Sequence, residues 1–248
     1  MSDDIIRLCQ LGKDHLDRAE RRARRTGDAS LLLMSAVLPF QSDDAVRRAS
    51  HGAVTTPPTF KRPTRKQRHI ELPVAFARPD LYGRWPFWLS SLTGLPDETI
   101  DRILRWDVFL VQESKRAGGK NWKAGDIIPV DRPLEQSGVS QPRLGIGADA
   151  LRQWLARHPG KGPQALRQAM SRAALEPDLF WIQALPVAPV PVSPLATLYS
   201  DIVAESERMR RALSQRAANI ILWAHARHLQ ELLEMLFLVL AGLRARKD

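Results

Sequence analysis

The chain has 248 residues, 44% of them hydrophobic, enough for one domain with a buried core and an extension. Its formal net charge of +10 favours acidic partners or phosphate backbones, and the single cysteine, Cys9, excludes an internal disulfide framework and fits a reducing cytoplasm. No apolar run approaches the roughly 20 residues of a membrane span, and Met1-Ser2-Asp3-Asp4 puts acids where a secretory leader carries basic residues, so a soluble cytoplasmic protein without membrane contact is expected.

Residues 2–25 are predicted to form an amphipathic helix with Ile5, Ile6, Leu8, Leu11 and Leu16 on its apolar face and Gly27 ending it, within an N-terminal helical extension over residues 1–40. Residues 41–68 are polar, proline-bearing and basic, and read as a linker or arm. Lys61, Arg62, Arg65, Lys66 and Arg68 stand close together there. Such a cluster suits DNA or RNA backbone contact through counterion release, with a solvated face as the plain alternative. Arg18, Arg21, Arg22, Arg24 and Arg25 form a second basic cluster, and Arg244, Arg246 and Lys247 a third.

Residues 69–192 are expected to form the globular body. A strand is a candidate over 70–76 and a proline-studded strand over 181–189, and a helix is predicted over 97–111, with Pro96 near its start and Ile100, Ile103, Leu104 and Phe109 facing inward. Gly118-Gly119 and Gly125-Asp126 favour turns and short strands over residues 114–141, and two short helices are predicted over 148–157 and 162–174. Trp85, Trp88 and Trp106 fit core aromatics better than a ligand cage. Gly145-Ile146-Gly147-Ala148 lacks the third glycine and preceding strand of a dinucleotide loop, so it reads as a turn before a helix.

Residues 193–248 read as an antiparallel two-helix coiled coil. Leu195, Tyr199, Ile202, Ser206, Met209 and Leu213 recur in steps of four and three, and Leu222, His225, Leu229, Leu232, Leu236, Val239 and Leu243 carry the seam back. Residues 214–219 are polar and short enough for the tip. At about 1.5 Å per residue each arm reaches roughly 30 Å, which predicts a projecting handle for a partner. His225 and His228 lie three apart, but no carboxylate or cysteine is placed to complete a metal site. No metal, cofactor or catalytic residue is expected.

Three blocks carry a resemblance. Leu185-Pro186-Val187-Ala188-Pro189 leads into Ser193-Pro194-Leu195-Ala196-Thr197-Leu198-Tyr199, then without a gap to Arg208-Met209-Arg210-Arg211-Ala212-Leu213, with a return over Ile220-Ile221-Leu222-Trp223-Ala224-His225-Ala226-Arg227. Earlier stand His69-Ile70-Glu71-Leu72 and Leu144-Gly145-Ile146-Gly147-Ala148-Asp149-Ala150. In this order they resemble the clamp region of the bacterial RNA polymerase β′ subunit, over about residues 52–240 and at low identity. The resemblance implies a mainly α fold with a small two- or three-stranded β-sheet (α+β), in which the strand over 70–76 pairs with one over 180–187, a reduced clamp-like module bearing a protruding helical hairpin. One cysteine cannot close the family's four-cysteine zinc ribbon, the lid has shrunk to Val190-Pro191-Val192, and the family's magnesium-binding aspartate triplet is absent. A part without catalytic chemistry is implied.

In that family the hairpin binds σ factors, and NusG-like transcription factors touch its tip. Carried over position by position, Glu205 takes a first-helix arginine position, Arg208 keeps another and Arg211 matches a third basic one. On the return helix Trp223 replaces an arginine, Ala224 an asparagine and His225 a glutamate, while Arg227 is kept. This partly inverted charge pattern implies rejection of the ordinary σ surface and selection of a different ligand, or else drift in a relative that no longer binds σ. Trp223, taken as an exposed anchor, favours an interface; His225 also fits the seam. The expected function is a non-catalytic transcription-associated protein that binds a σ factor or other clamp-helix ligand. The alternatives are a clamp subunit working with other RNA polymerase subunits of a split enzyme, and a basic nucleic-acid-binding protein.

Overall fold

The computed structural model describes residues 3–28, 31, 69–81, 83–84, 88–117, 120–130, 143–158, 181–186 and 193–246. Helix α1, Asp3–Thr26, buries Ile5, Leu8, Gly12, Leu16, Ala19 and Ala23 in steps of three and four. Asp3 and Asp4 in its first turn and Arg24 and Arg25 in its last suit the helix dipole. Ile6, predicted on the apolar face, is exposed, and Leu11 is half-buried: the buried stripe runs through Ile5 and Gly12 instead.

Strand β1, His69–Ala77, pairs antiparallel with the strand Trp181–Pro186, as predicted, with Ile70 opposite Leu185 and Phe76 opposite Ile182. The two-stranded ribbon separates two cores. Ala75, Ala77 and Trp181 face one, while Leu72, Phe76, Ile182 and Leu185 face the other. This alternation is the period-two pattern of a strand buried on both sides.

On the first side pack α2, Trp88–Thr93, and α3, Asp97–Leu104. The helix predicted over 97–111 ends at Leu104. Trp106 takes a left-handed φ of +65°, its N–H donates to the Ile103 carbonyl and that of Asp107 to Arg102, which closes the helix in a Schellman arrangement. The β-branched and aromatic run that follows forms β2, Val108–Val111, so Phe109 lies on a strand. β2 is the centre of a three-stranded antiparallel sheet, between Ile127–Pro129 (β5) and Leu144–Gly145 (β6). Lys115–Ala117 (β3) and Lys120–Trp122 (β4) form a separate ribbon, so the glycine-bearing stretch does make short strands.

Helix α4, Gly147–Arg157, starts directly after β6. Gly147 has φ +64°, and a Cβ there would come within 2.6 Å of the Trp106 ring, so this glycine serves packing rather than a nucleotide. Trp106 is buried, as expected. The side chain of Trp88, all of Trp85, the predicted helix over 162–174 and Val190 to Val192 lie outside the described residues.

The second core is built on the long helices α5, Ser193–Ser214, and α6, Asn219–Ala245, which form a hairpin, with α1 laid along α6. Leu195, Tyr199, Ile202, Ser206 and Met209 on α5 meet Leu229, Leu232, Leu236 and Val239 on α6 in a continuous buried layer. The strand Trp181–Pro186 is β7, and α5 follows it after a short connection. Gln230, buried on α6, donates its Nε2 to the Ala77 carbonyl at 3.3 Å, tying α6 to the end of β1. Just beyond, Arg78 and Asp80 form a fully buried two-pronged ion pair, with Nη2 to Oδ2 at 2.7 Å. The fold is α+β: mainly helical, with small antiparallel sheets. Among the described residues no helix is long and apolar enough to cross a membrane.

Candidate partner-binding site on the helical hairpin

Glu205 sits inside the hairpin, its side chain only 5% exposed. Its Oε1 is 2.6 Å from Nδ1 of His225 on the facing helix, and Oε2 accepts a hydrogen bond from Arg208 Nη1 at 2.9 Å. Burial by itself raises the pKa of such a carboxyl. The hydrogen bonds from His225 and Arg208, together with the charge of His225 and His228, outweigh it and hold Glu205 below the ordinary glutamate value. His225 is therefore a seam residue facing an internal partner.

Trp223 and Arg227 lie one turn apart on α6 and face the body. The Trp223 ring meets Phe109 of β2 edge-on, with centroids 5.3 Å apart and an interplanar angle of 76°. Arg227 donates from Nη2 to Asp107 Oδ1 at 2.7 Å and from Nε to the Arg105 carbonyl at 3.2 Å. On the other arm Arg210 donates to the Glu71 carbonyl. Two expectations are thereby corrected. The hairpin does not stand roughly 30 Å clear of the body, because β1 reaches it at Arg210, β2 at Trp223 and the turn before β2 at Arg227. Trp223 is half-buried against Phe109, so it is no exposed anchor, and Glu205, Arg208, Trp223 and Arg227 do not share one outward face.

Arg208 remains 57% exposed despite its ion pair, and Arg211 is exposed, with Nε reaching back to the Glu207 carbonyl at 3.5 Å. Leu213, predicted as a seam residue, is 41% exposed; the seam ends one turn earlier, at Met209 and Ala212. Across the turn Ile220 is 70% and Ile221 46% exposed. These three aliphatic side chains, flanking a turn that carries Arg216, are the surface that pattern matching missed. The available signal is an aliphatic pair placed immediately before Leu222, out of register with the seam.

Among the described residues no three His, Cys, Asp or Glu side chains come together as a metal site requires. His228 Nδ1 lies 3.6 Å from the Glu231 carboxylate on the surface of α6. Cys9 is partly buried, with Sγ 3.9 Å from the Met235 carbonyl, and burial pushes its thiol pKa up, away from a reactive thiolate. Lys61, Arg62, Arg65, Lys66 and Arg68 lie outside the described residues. No family model matches this chain.

Proposed function

We propose that this protein is a non-catalytic, transcription-associated factor of the cytoplasm, similar to the clamp of RNA polymerase β′, whose helical hairpin binds a σ factor or a related clamp-helix ligand. The observation that carries the reading is the order of pieces around β1 and β7. His69–Ala77 pairs with Trp181–Pro186, and in chain order the second strand is followed by the α5–α6 hairpin, the order that the quoted motifs imply. The exposed arginines and aliphatic residues of the hairpin end add support, since a basic and apolar surface suits protein recognition. Interferometry with the full-length chain immobilised, against a purified housekeeping σ factor and a NusG-like factor, tests it. Saturable binding lost on changing hairpin residues supports the reading, and no binding to either defeats it.

A second reading is favoured by the basic cluster from Lys61 to Arg68 within a chain of net charge +10: contact with a DNA or RNA backbone alongside the protein ligand. Serine replacement of Lys61, Arg62, Arg65, Lys66 and Arg68 then removes most salt-sensitive binding to a duplex of arbitrary sequence. Affinity indifferent to those changes and to salt excludes it.

A further inference from the structure

The end of the hairpin combines three features. Leu213, Ile220 and Ile221 present aliphatic side chains to solvent at 41%, 70% and 46%. From Arg208 to Gln230 the sequence holds five arginines and no aspartate or glutamate; Arg208, Arg210 and Arg227 are engaged with Glu205, the Glu71 carbonyl and Asp107, so Arg211 and Arg216 carry the positive charge beside the turn. Arg216 adopts φ +51°, a left-handed conformation, with its N–H donating to the Leu213 carbonyl and the following Ala217 N–H to Ala212. Helices that close this way ordinarily place glycine at that position. An arginine held there against its backbone preference is the kind of local strain that collects at functional surfaces.

We propose that Leu213, Arg216, Ile220 and Ile221 form a docking surface for an acidic amphipathic protein helix, one with an apolar stripe flanked by glutamates or aspartates. The proposal deepens the reading above and rests on the hairpin being the partner-binding element, but it moves the contact from Trp223 and His225 to the turn itself. Charge decides the occupant. A second copy docking tip to tip sets arginine against arginine, which association disfavours. A nucleic-acid backbone answers the arginines but leaves the aliphatic trio without a complement, since bases stack on aromatic rings. A membrane-surface helix carries its apolar face along its whole length, whereas here the face is confined to the turns bordering the loop. A helix whose apolar stripe meets Ile220, Ile221 and Leu213 while its carboxylates meet Arg216 and Arg211 satisfies both halves of the surface.

The test uses the full-length chain and a fluorescein-labelled synthetic helix with leucines along one face and glutamates on both flanks. The expected result is saturable binding by anisotropy, weakened about tenfold or more by Ile220→Ser with Ile221→Ser and likewise by Arg216→Gly, as for central anchor residues of an interface. The same peptide with lysines in place of glutamates should not bind. Circular dichroism of each variant separates loss of the surface from loss of the fold, and Arg216→Gly relieves strain, so its failure to bind cannot be ascribed to unfolding. Equal binding of the two peptides, or binding indifferent to these substitutions, overturns the proposal. So does tighter binding to phosphatidylglycerol vesicles or single-stranded DNA with the same sensitivity. A purified σ factor separates this inference from the broader one: peptide binding without σ binding leaves the acidic-helix surface standing and removes the σ reading. Binding of σ unaffected by Arg216→Gly and the isoleucine changes does the reverse.

Discussion

Trp223 of α6 meets Phe109 of β2 edge to face, 5.3 Å between ring centroids, and this contact fastens the hairpin to the body one turn below its free end. The pair explains why a tryptophan stands so near a turn that is otherwise basic and aliphatic. Its ring covers the half-buried Phe109 rather than awaiting a ligand.

Trp223→Ala is accordingly expected to destabilise the protein by about 2 kcal/mol, less than the loss of a fully buried aromatic. The pairing itself should appear as a coupling of about 0.5–1.5 kcal/mol in a double-mutant cycle with Phe109→Ala. Urea denaturation of the four proteins measures both. A Trp223→Ala protein of unchanged stability would contradict the contact.

The Glu205 carboxyl makes folding pH-dependent in a definite direction. Because its folded pKa lies below the ordinary glutamate value of about 4.3, its contribution to stability is fully present above that value and is lost as pH falls through the folded pKa. Glu205→Gln should therefore lower stability at neutral pH and flatten the acid limb of the stability curve below about pH 4.3. Thermal melts of both proteins between neutral and acid pH measure the difference; parallel curves would show that the carboxyl titrates alike folded and unfolded.

The same pair predicts the outcome of reversing charge across the hairpin. Glu205→Arg alone places a cation in the seam beside Arg208 and His225 and should cost about 3 kcal/mol or more, as for a buried charge robbed of its partner. Adding His225→Glu restores an opposite charge and should recover at least about 1 kcal/mol. Strictly additive effects would show that the two positions do not meet.

What could be anticipated from the residues alone divides along physical lines. Regular apolar spacing located α1, α5 and α6, because burial on a fixed face imposes a period that survives in the letters, whereas the pairing of β1 with β7 is expected from the resemblance to the polymerase clamp and not from a period. The stop at Leu104 did not show, since it depends on Trp106 entering a left-handed cap and packing on Gly147, a contact forty-one positions away in the chain that no local pattern records. Three hairpin residues misled for a related reason. Glu205, Trp223 and Arg227 look exposed by type and position, yet each is satisfied by a partner, His225, Phe109 or Asp107, fixed only by tertiary packing.

Helix α1 is held by backbone contact. A Cβ on Gly12 would fall 1.9 Å from the Leu238 carbonyl oxygen, and one on Gly242 2.2 Å from that of Leu8, so the two helices touch where both lack side chains. Gly12→Ala or Gly242→Ala should push the helices apart and cost about 1–3 kcal/mol, as overpacking does, despite alanine's better helix propensity. Hydrogen exchange should show protection lost first in α1. An alanine variant of either glycine with higher stability than the parent would mean that the crossing is looser than described.

The last prediction contrasts two residues that close helices in the same left-handed conformation, Trp106 at φ +65° and Arg216 at φ +51°. A non-glycine residue there costs about 1 kcal/mol or more in backbone sterics, so glycine should gain about that amount wherever the lost side chain does no other work. Arg216 is exposed at the hairpin turn, and Arg216→Gly should raise stability by about 1 kcal/mol. Trp106 is buried with its indole against Gly147, and Trp106→Gly should lower stability by about 3 kcal/mol or more, because the lost packing exceeds the relief of strain. Guanidinium denaturation of the two variants gives opposite signs if the side chains differ in this way. A destabilised Arg216→Gly protein would mean that the arginine contributes to folding, and its retention at a strained position would then need no partner to explain it.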